Sequence, residues 1–308
     1  MTKRLPASTG AGMTLARRST VLLLLGLAAS AAVCAHADDA SMQVGVSGSL
    51  HSLAGRLART LQESSGLDVQ IRLLPSGSAA IGDVDVVLTT DARGARRDAT
   101  VFDERSLAFG ADAMVLAYAR TGRFADAIAE GTPWFEALAA ETTRFGRGDP
   151  ESPLGLRALF VLDLAGRHYG NPHLALEILR PGQGMPGDVL VRRLEAATLD
   201  AALVYRSQAT RAGLAHLDLP DDIDLGDPGR EGVYAEATVD LDGKTRRGAP
   251  IVLVALTPKA PGRAARAAPL LDLLQSDDAA PLLEREGYVV PPGLPRRSAR
   301  ARPQPLPR

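Results

Sequence analysis

The chain of 308 residues is 45% hydrophobic, 23% charged and 4% aromatic. This composition excludes collagen-like, coiled-coil and disordered classes, and the length suffices for one large domain or two lobes. Residues 38–295 carry 26 basic and 36 acidic side chains, a net charge of -10. Because phosphate binding needs a positive field, we expect no nucleic-acid partner.

The first 37 residues have the layout of a secretory signal peptide. Arg17 and Arg18 precede a short apolar run at 21–27, and small residues then lead to an Ala-His-Ala sequence at 35–37. The run is too short for a membrane span. We therefore expect a signal peptide over 1–37 and a periplasmic product, with the single cysteine, Cys34, lost with the leader.

Strand-like and helix-like segments alternate after the leader. Short apolar runs predict strands at 42–46, 69–74, 84–88, 113–118, 199–205 and 250–257. Leucines at helical spacing and capping residues predict helices at 50–66, 134–140, 153–169, 264–275 and 279–286. This alternation predicts an α/β fold with largely parallel sheets. The Pro- and Arg-rich tail, residues 293–308, is predicted to be disordered.

Three turns rich in Ser, Gly or Pro stand before helices. Ser49 and Ser152 are expected as helix N-caps, Pro153 suits the first helical position, and 76–80 contains a second Gly/Ser turn. A helix N-terminus offers unpaired N–H donors and about half a positive charge, so it attracts anions. Capping alone also accounts for each of these turns, so the pattern leaves both interpretations open.

Seven motifs occur in the order typical of one family. Together they resemble the periplasmic molybdate/tungstate-binding proteins of ABC transporters, especially the tungstate-type branch, over residues 42–290. The motifs lie at 48–50, 76–79, 84–91, 149–157, 199–209, 219–225 and 248–252.

The resemblance implies a type II periplasmic binding protein fold, in which two α/β lobes joined by a hinge close on a tetrahedral oxyanion. It places the first lobe at 42–117 plus 248–292 and the second at 118–247. It implies a non-enzymatic, monomeric receptor that passes molybdate or tungstate to an ABC transporter permease. The implied ligand-binding residues are Ser49, Ser78, Ser152, Leu154, Gly187, Asp188 and Tyr205.

The sequence departs from the family at two positions. Some tungstate-type members ligate the metal with two carboxylates, but the matching positions here are Ser152 and Gly187, with Asp188 and Glu151 close by. We therefore expect tetrahedral oxyanion binding, with no protein metal site and no cofactor. Arg157 is expected to pair with a local acid or to line the cleft.

Two alternatives stay open at this point. The same fold accommodates a binding protein for sulfate, phosphate or an organic anion, which the missing carboxylates allow. It also accommodates a sensor or an enzyme, although the sequence offers no convincing acid–base pair beyond Glu151 and Asp188. The chain has no Gly-x-Ser-x-Gly elbow around its serine turns and no complete phosphate loop at Gly243.

Overall fold

The first helix shows how the sequence pattern becomes packing. The helix His51–Ser65 buries Leu53, Leu57 and Leu61, which recur every four residues and therefore share one face. It ends at Gly66, whose φ of 71° is the left-handed conformation that glycine adopts at helix C-termini. The predicted amphipathic helix is thus confirmed.

A computed structural model describes residues 41–74, 83–90 and 102–292 of the chain, with the side chains of 103–105 left aside. The predicted signal peptide and the Arg/Pro tail therefore lie outside the described residues. In chain order, the described strands are β1 Met42–Val46, β2 Val69–Leu73, β3 Val86–Thr89, β4 Phe102–Asp112, β5 Met114–Tyr118, β6 Phe145–Gly146, β7 Ala201–Tyr205, β8 Ala215–Asp218, β9 Thr238–Leu241, β10 Lys244–Arg247 and β11 Ile251–Pro258.

The helices lie between and after these strands. They are α1 His51–Ser65, α2 Arg123–Ala129, α3 Trp134–Ala139, α4 Pro153–His168, α5 Leu174–Ile178, α6 Gly187–Glu195, α7 Arg206–Arg211, α8 Glu231–Tyr234, α9 Arg263–Gln275 and α10 Ala279–Arg285, with short 3₁₀ turns at Gly48–Leu50 and Pro228–Arg230. Within the described ranges, no helix combines the length and apolarity that crossing a bilayer requires.

Two larger sheets organise the described chain, beside the two-stranded sheet β10-β9. Five strands form the first sheet in the order β2-β1-β3-β11-β4, and four form the second in the order β6-β7-β5-β8. Helices α1, α9 and α10 share a buried core with the first sheet, and α4 and α6 share another with the second. We call the first sheet with its helices the first half, and the second sheet with its helices the second half.

The α/β class is confirmed, but the expectation of largely parallel sheets is wrong. The pairs β1–β2, β1–β3 and β6–β7 are parallel, whereas β3–β11, β4–β11, β5–β7 and β5–β8 are antiparallel. The reason is topological, because β11 enters the first sheet from the second half and runs against its neighbours. The sequence analysis also missed β4, β6, β8 and the hairpin β9–β10.

The two halves are joined by crossing segments that lie side by side. One crossing is at Ala113, between β4 of the first sheet and β5 of the second. The N–H of Met114 donates to the carbonyl of Asp224 at 2.7 Å, and the N–H of Ile251 donates to the carbonyl of Leu225 at 2.9 Å. The exact lobe boundaries, 42–117 plus 248–292 and 118–247, stay a prediction. In the structure, β5 forms its hydrogen bonds with β7 and β8 of the second sheet.

An almost completely buried carboxylate fastens α9 to the first sheet. Asp85 is 1% exposed and accepts hydrogen bonds from the N–H of Gln43, from Arg266 at 2.7 Å and from Arg263 at 3.1 Å. Burial by itself would raise the pKa of Asp85, but these three donors outweigh burial and hold the pKa below its usual value. The carboxylate therefore stabilises the fold only while it is ionised.

We expect Asp85→Asn to lower the free energy of unfolding by about 2 kcal/mol at pH 7, because charge-assisted bonds are lost. The wild-type advantage should fade below about pH 4, since a depressed pKa gives stability that is lost on protonation. Urea unfolding at pH 7 and pH 3 measures both effects. Asp277→Asn, at an exposed position, serves as the control and should change little, and equal losses in the two variants would contradict the assignment.

Candidate functional site

Helix α4 begins with a cap that was predicted from the sequence. The hydroxyl of Ser152 accepts a hydrogen bond from the N–H of Gly155 at 3.0 Å and donates to the carbonyl of Asp149 at 2.7 Å. Pro153 stands at the first helical position. Because the N–H groups of the first turn have no partner four residues back, this leaves the amide of Leu154 as a donor at the helix end. Among the described residues, no acceptor bonds to it.

The start of α6 lies against the start of α4. A Cβ atom on Gly187 would lie 3.1 Å from Cδ2 of Leu154 and 3.1 Å from Nε2 of Gln208. At this distance an added Cβ would require the ends of these two side chains to move by a few tenths of an ångström. Helix α6 has no side-chain cap at Pro186, so its first amides add donors beside those of α4.

Tyr205 completes this group at the end of β7. The residue is buried, and its N–H donates to Oε1 of Gln208 at 3.3 Å. Since the amide of the same glutamine side chain approaches Gly187, the structure brings Leu154, Gly187 and Tyr205 into one neighbourhood. Neutral donors from two helix ends and a phenol form an arrangement suited to an anion.

Asp188 is engaged with its own helix. Its carboxylate pairs with Arg192 at 2.6 Å, and both side chains are mainly exposed. The hydrogen bond from Arg192 is the main cause that holds the pKa of Asp188 below its usual value. The hydroxyl of Ser152 makes the hydrogen bonds that cap α4. Within the described part of the chain, no three His, Cys, Asp or Glu side chains gather as a metal-ion site.

Ser49 is not the N-cap that the sequence analysis expected. It lies inside the 3₁₀ turn Gly48–Leu50, which Ser47 precedes, and no side-chain capping bond is formed there. The two serine hydroxyls are 3.4 Å apart, and the carbonyl of Ser49 accepts a bond from the hydroxyl of Tyr288 at 3.1 Å. The other predicted serine, Ser78, lies outside the described residues.

A buried polar network surrounds the first crossing between the halves. Asp112, fully buried at the end of β4, accepts hydrogen bonds from the hydroxyl and the N–H of Ser207 at 2.6 and 3.2 Å and from the N–H of Ala113 at 2.9 Å. Burial is the main cause that raises the pKa of Asp112 to about 6. The carboxylate thus ties the start of α7 to the first sheet.

Arg157 joins the two halves, a role that the sequence analysis did not anticipate. One nitrogen of its guanidinium donates to the hydroxyl of Tyr205 at 2.6 Å and to Oγ1 of Thr90 at 3.3 Å, and the other donates to the carbonyl of Thr90 at 2.7 Å. Thr90 follows β3 of the first sheet, whereas Arg157 belongs to α4 of the second half. No local acid pairs with this arginine in the described ranges.

A cavity of about 810 Å³ lies beside this contact. Its wall is formed by the start of α4, by Thr90, by the beginning of β11 and by the hairpin β9–β10, and both Ser152 and Arg157 line it. Leu154, Gly187 and Tyr205 lie outside its lining. The site residues therefore form two groups. Leu154, Gly187 and Tyr205 make up the donor group around Gly187, and Ser152 and Arg157 belong to the cavity wall; the two groups meet at α4.

The family model described as bacterial extracellular solute-binding protein matches residues 42–289. A Haloferax volcanii protein, provisionally named an ABC transporter molybdenum-binding protein, is 37% identical over 171 residues, or 55% of each chain. The molybdate/tungstate-binding protein WtpA of Thermococcus kodakarensis is 28% identical over 183 residues, which cover 50% of this chain and 52% of the relative. The chain thus matches about half the length of these curated relatives.

Solved structures share the architecture at low sequence identity. The periplasmic molybdate-binding protein of Azotobacter vinelandii is 15% identical and superposes with a TM-score of 0.57, covering 82% of this chain and 100% of that one. A substrate-binding domain from Clostridium difficile gives a TM-score of 0.55 at 13% identity, covering 82% of this chain and 99% of that one. The fold is therefore the type II periplasmic binding protein fold, as predicted.

There is no room for a side chain at Gly155, in the first turn of α4, because a Cβ there would lie 1.9 Å from the carbonyl oxygen of Asp149. We expect Gly155→Ala to destabilise the protein by about 1–3 kcal/mol, because the obstacle is backbone. Gly55→Ala on α1, where the nearest atom is 4.0 Å away, is the matched control and should stabilise slightly. Thermal unfolding compares the two, and equal melting temperatures would refute the close approach.

The raised pKa of Asp112 predicts a pH dependence. Its folded pKa of about 6 exceeds the ordinary value of about 4, so the folded state binds more protons between these pH values and stability falls as pH rises through that window. In the Asp112→Asn variant, this part of the fall in stability with rising pH should disappear. Urea unfolding at pH 4, 5, 6 and 7 tests it beside an Asp277→Asn control, and an unchanged slope in the Asp112 variant would exclude Asp112 as its source.

Proposed function

Because the chain belongs to the family of bacterial extracellular solute-binding proteins, we propose that it captures molybdate or tungstate and delivers it to an ABC transporter permease. The names of the relatives from Haloferax volcanii and Thermococcus kodakarensis support this ligand class. The membership of an extracellular family supports a periplasmic location after removal of residues 1–37. The protein acts as a monomeric receptor and catalyses no reaction.

One observation carries the proposal, namely the meeting of two helix starts with a buried tyrosine around Gly187. The amides of Leu154, Gly187 and Asp188 stand at helix N-termini, where the helix dipole favours negative charge. Tyr205 adds a phenolic hydroxyl from the end of β7. These donors carry no formal charge, so they bind a dianion through oriented hydrogen bonds.

The first half is proposed to supply the remaining donors. Ser49, in the turn after β1, contributes its hydroxyl, and Ser78 contributes another from the second Gly/Ser turn. A ligand held between donors of both halves stabilises the closed arrangement, because each half gains hydrogen bonds that are lost on opening. Ser152 acts through the α4 cap, and Asp188 through its amide rather than its carboxylate.

The four-coordinate mode follows from what the side chains near the helix starts already do. The carboxylate of Asp188 pairs with Arg192, and Ser152 stands where some tungstate-type relatives have a carboxylate. Ligation of the metal by Asp188 would require its carboxylate to leave Arg192, at the expense of that bond. The oxyanion is therefore bound as an intact tetrahedron through its oxygens.

Calorimetric titration of the exported protein with sodium molybdate, tungstate, sulfate and phosphate tests the ligand class. We expect molybdate and tungstate to bind more tightly than sulfate or phosphate by at least about tenfold, or ~1.4 kcal/mol. Indifference to molybdate and tungstate, together with tight binding of another anion, would overturn the proposed ligand. Turnover of a substrate would overturn the non-enzymatic assignment.

Removing single hydroxyl donors tests the proposed site. Ser49→Ala and Ser78→Ala should each weaken molybdate binding by about 1–3 kcal/mol, because the dianion keeps its charge but loses one bond. Ser64→Ala, at an exposed serine near the end of α1, is the matched control and should bind as the wild type does. Unchanged affinity in both site variants would place the ligand elsewhere.

A further inference from the structure

We infer that Arg157 is a positioning residue that latches the two halves together and fixes the hydroxyl of Tyr205 as a hydrogen-bond donor toward the bound oxyanion. The latch stands on geometry alone, whereas its action on the ligand rests on the proposed function. The observation that carries it is one guanidinium group that reaches Tyr205 in the second half and Thr90 in the first.

The bond from Arg157 to Tyr205 determines whether the Tyr205 hydroxyl donates or accepts a further hydrogen bond. A guanidinium has donors only, so at 2.6 Å the oxygen of Tyr205 accepts from Arg157. The hydrogen of the same hydroxyl must then be donated to a different acceptor. A hydroxyl that accepts from a cation becomes a stronger donor, because hydrogen bonds in a chain polarise one another. An anion requires a hydrogen-bond donor, and the bond from Arg157 leaves the Tyr205 hydroxyl to act as one.

The geometry also fixes where the phenol ring lies. The guanidinium carbon of Arg157 is 5.4 Å from the centre of the Tyr205 ring, within the range of a cation–π contact. Tyr205 is 4% exposed, whereas Arg157 is partly exposed and lines the cavity. Two contacts from the same guanidinium therefore hold both the ring and the hydroxyl.

The bonds to Thr90 make the same side chain a latch. Thr90 is 9% exposed and follows β3 of the first sheet, while the backbone of Arg157 lies on α4, packed in the core of the second half. The carbonyl of Thr90 accepts at 2.7 Å and its hydroxyl oxygen at 3.3 Å. Because these bonds span the halves, they exist only when the halves are close. Closure and the orientation of Tyr205 are therefore coupled through one residue.

A double-mutant cycle without ligand tests the contact itself. Arg157→Gln and Tyr205→Phe should each lower the melting temperature by about 2–4 °C, the range expected for a loss near 1 kcal/mol in a protein of this size. The double variant should lose clearly less than the sum, because the shared bond is removed only once. Additive losses would overturn the inference whether or not any oxyanion binds.

The same four proteins, titrated with sodium molybdate, test the action on the ligand. Arg157→Gln should raise the Kd about tenfold, and in the Tyr205→Phe background the same change should raise it much less. Arg157→Lys keeps the charge but lacks the planar fork, so it should restore only part of the affinity. Full restoration by lysine, or an equal loss in both backgrounds, would overturn the positioning role.

The controls separate this inference from the proposed function. Arg167→Gln, on the same helix but mainly exposed and paired with Asp163 at 3.6 Å, should leave both the melting temperature and the affinity near the wild-type values. A wild-type protein that binds neither molybdate nor tungstate would overturn the proposed function and the action of Arg157 on the ligand. The ligand-free cycle would still decide the latch.

Discussion

The close approach of backbone segments at the start of α4 is the constraint on which the site depends. A Cβ on Gly148 would lie 2.4 Å from the amide nitrogen of Gly155, and one on Gly155 would lie 1.9 Å from the carbonyl oxygen of Asp149. The turn can therefore fold onto the helix end only because both positions are glycine. At α6, by contrast, a Cβ on Gly187 would meet side chains, with Leu154 Cδ2 and Gln208 Nε2 each at 3.1 Å. The absence of side chains at Gly148 and Gly155 lets the turn lie directly against the start of α4.

This constraint bears on how an acidic protein would bind the proposed anion. Residues 38–295 carry a net charge of -10, so attraction over long distances does not favour a dianion. Oriented amides act within the first turn of a helix, where they are close enough to overcome an unfavourable distant field. Arg157 adds a formal positive charge beside Tyr205, and the bonds that it makes across the halves fix where that charge lies.

Local features of the site could be predicted from the sequence, and non-local ones could not. The cap of Ser152 on Gly155 depends on residues three apart, so Ser-Pro before an apolar run was sufficient. Ser49 was misassigned because the chain makes one 3₁₀ turn before α1, and the sequence pattern does not distinguish this turn from a cap. The bond from Arg157 to Thr90 joins residues 67 positions apart. No periodicity or spacing encodes such a pair.

The same distinction applies to the fold. Apolar runs predicted most of the strands, but their direction depends on how the chain passes between the halves, which is why the sheets are mixed. The α/β class came from the alternation of strand-like and helix-like segments, and the type II fold came from the order of the motifs rather than from any single segment. The hairpin β9–β10 was missed because its strands are largely exposed and therefore carry little apolar signal.

The crossings and the contact of Arg157 with Thr90 both join the two halves. At the crossing, Asp112 holds Ser207 of α7, and Arg211 of that helix donates to the hydroxyl of Tyr288 at 3.4 Å. Tyr288 in turn donates to the carbonyl of Ser49. The turn that carries Ser49 is thus linked through Tyr288 to α7 of the second half, and Arg157 links the halves at Thr90. Under the proposed function, a ligand held by both halves favours the arrangement in which these contacts are made.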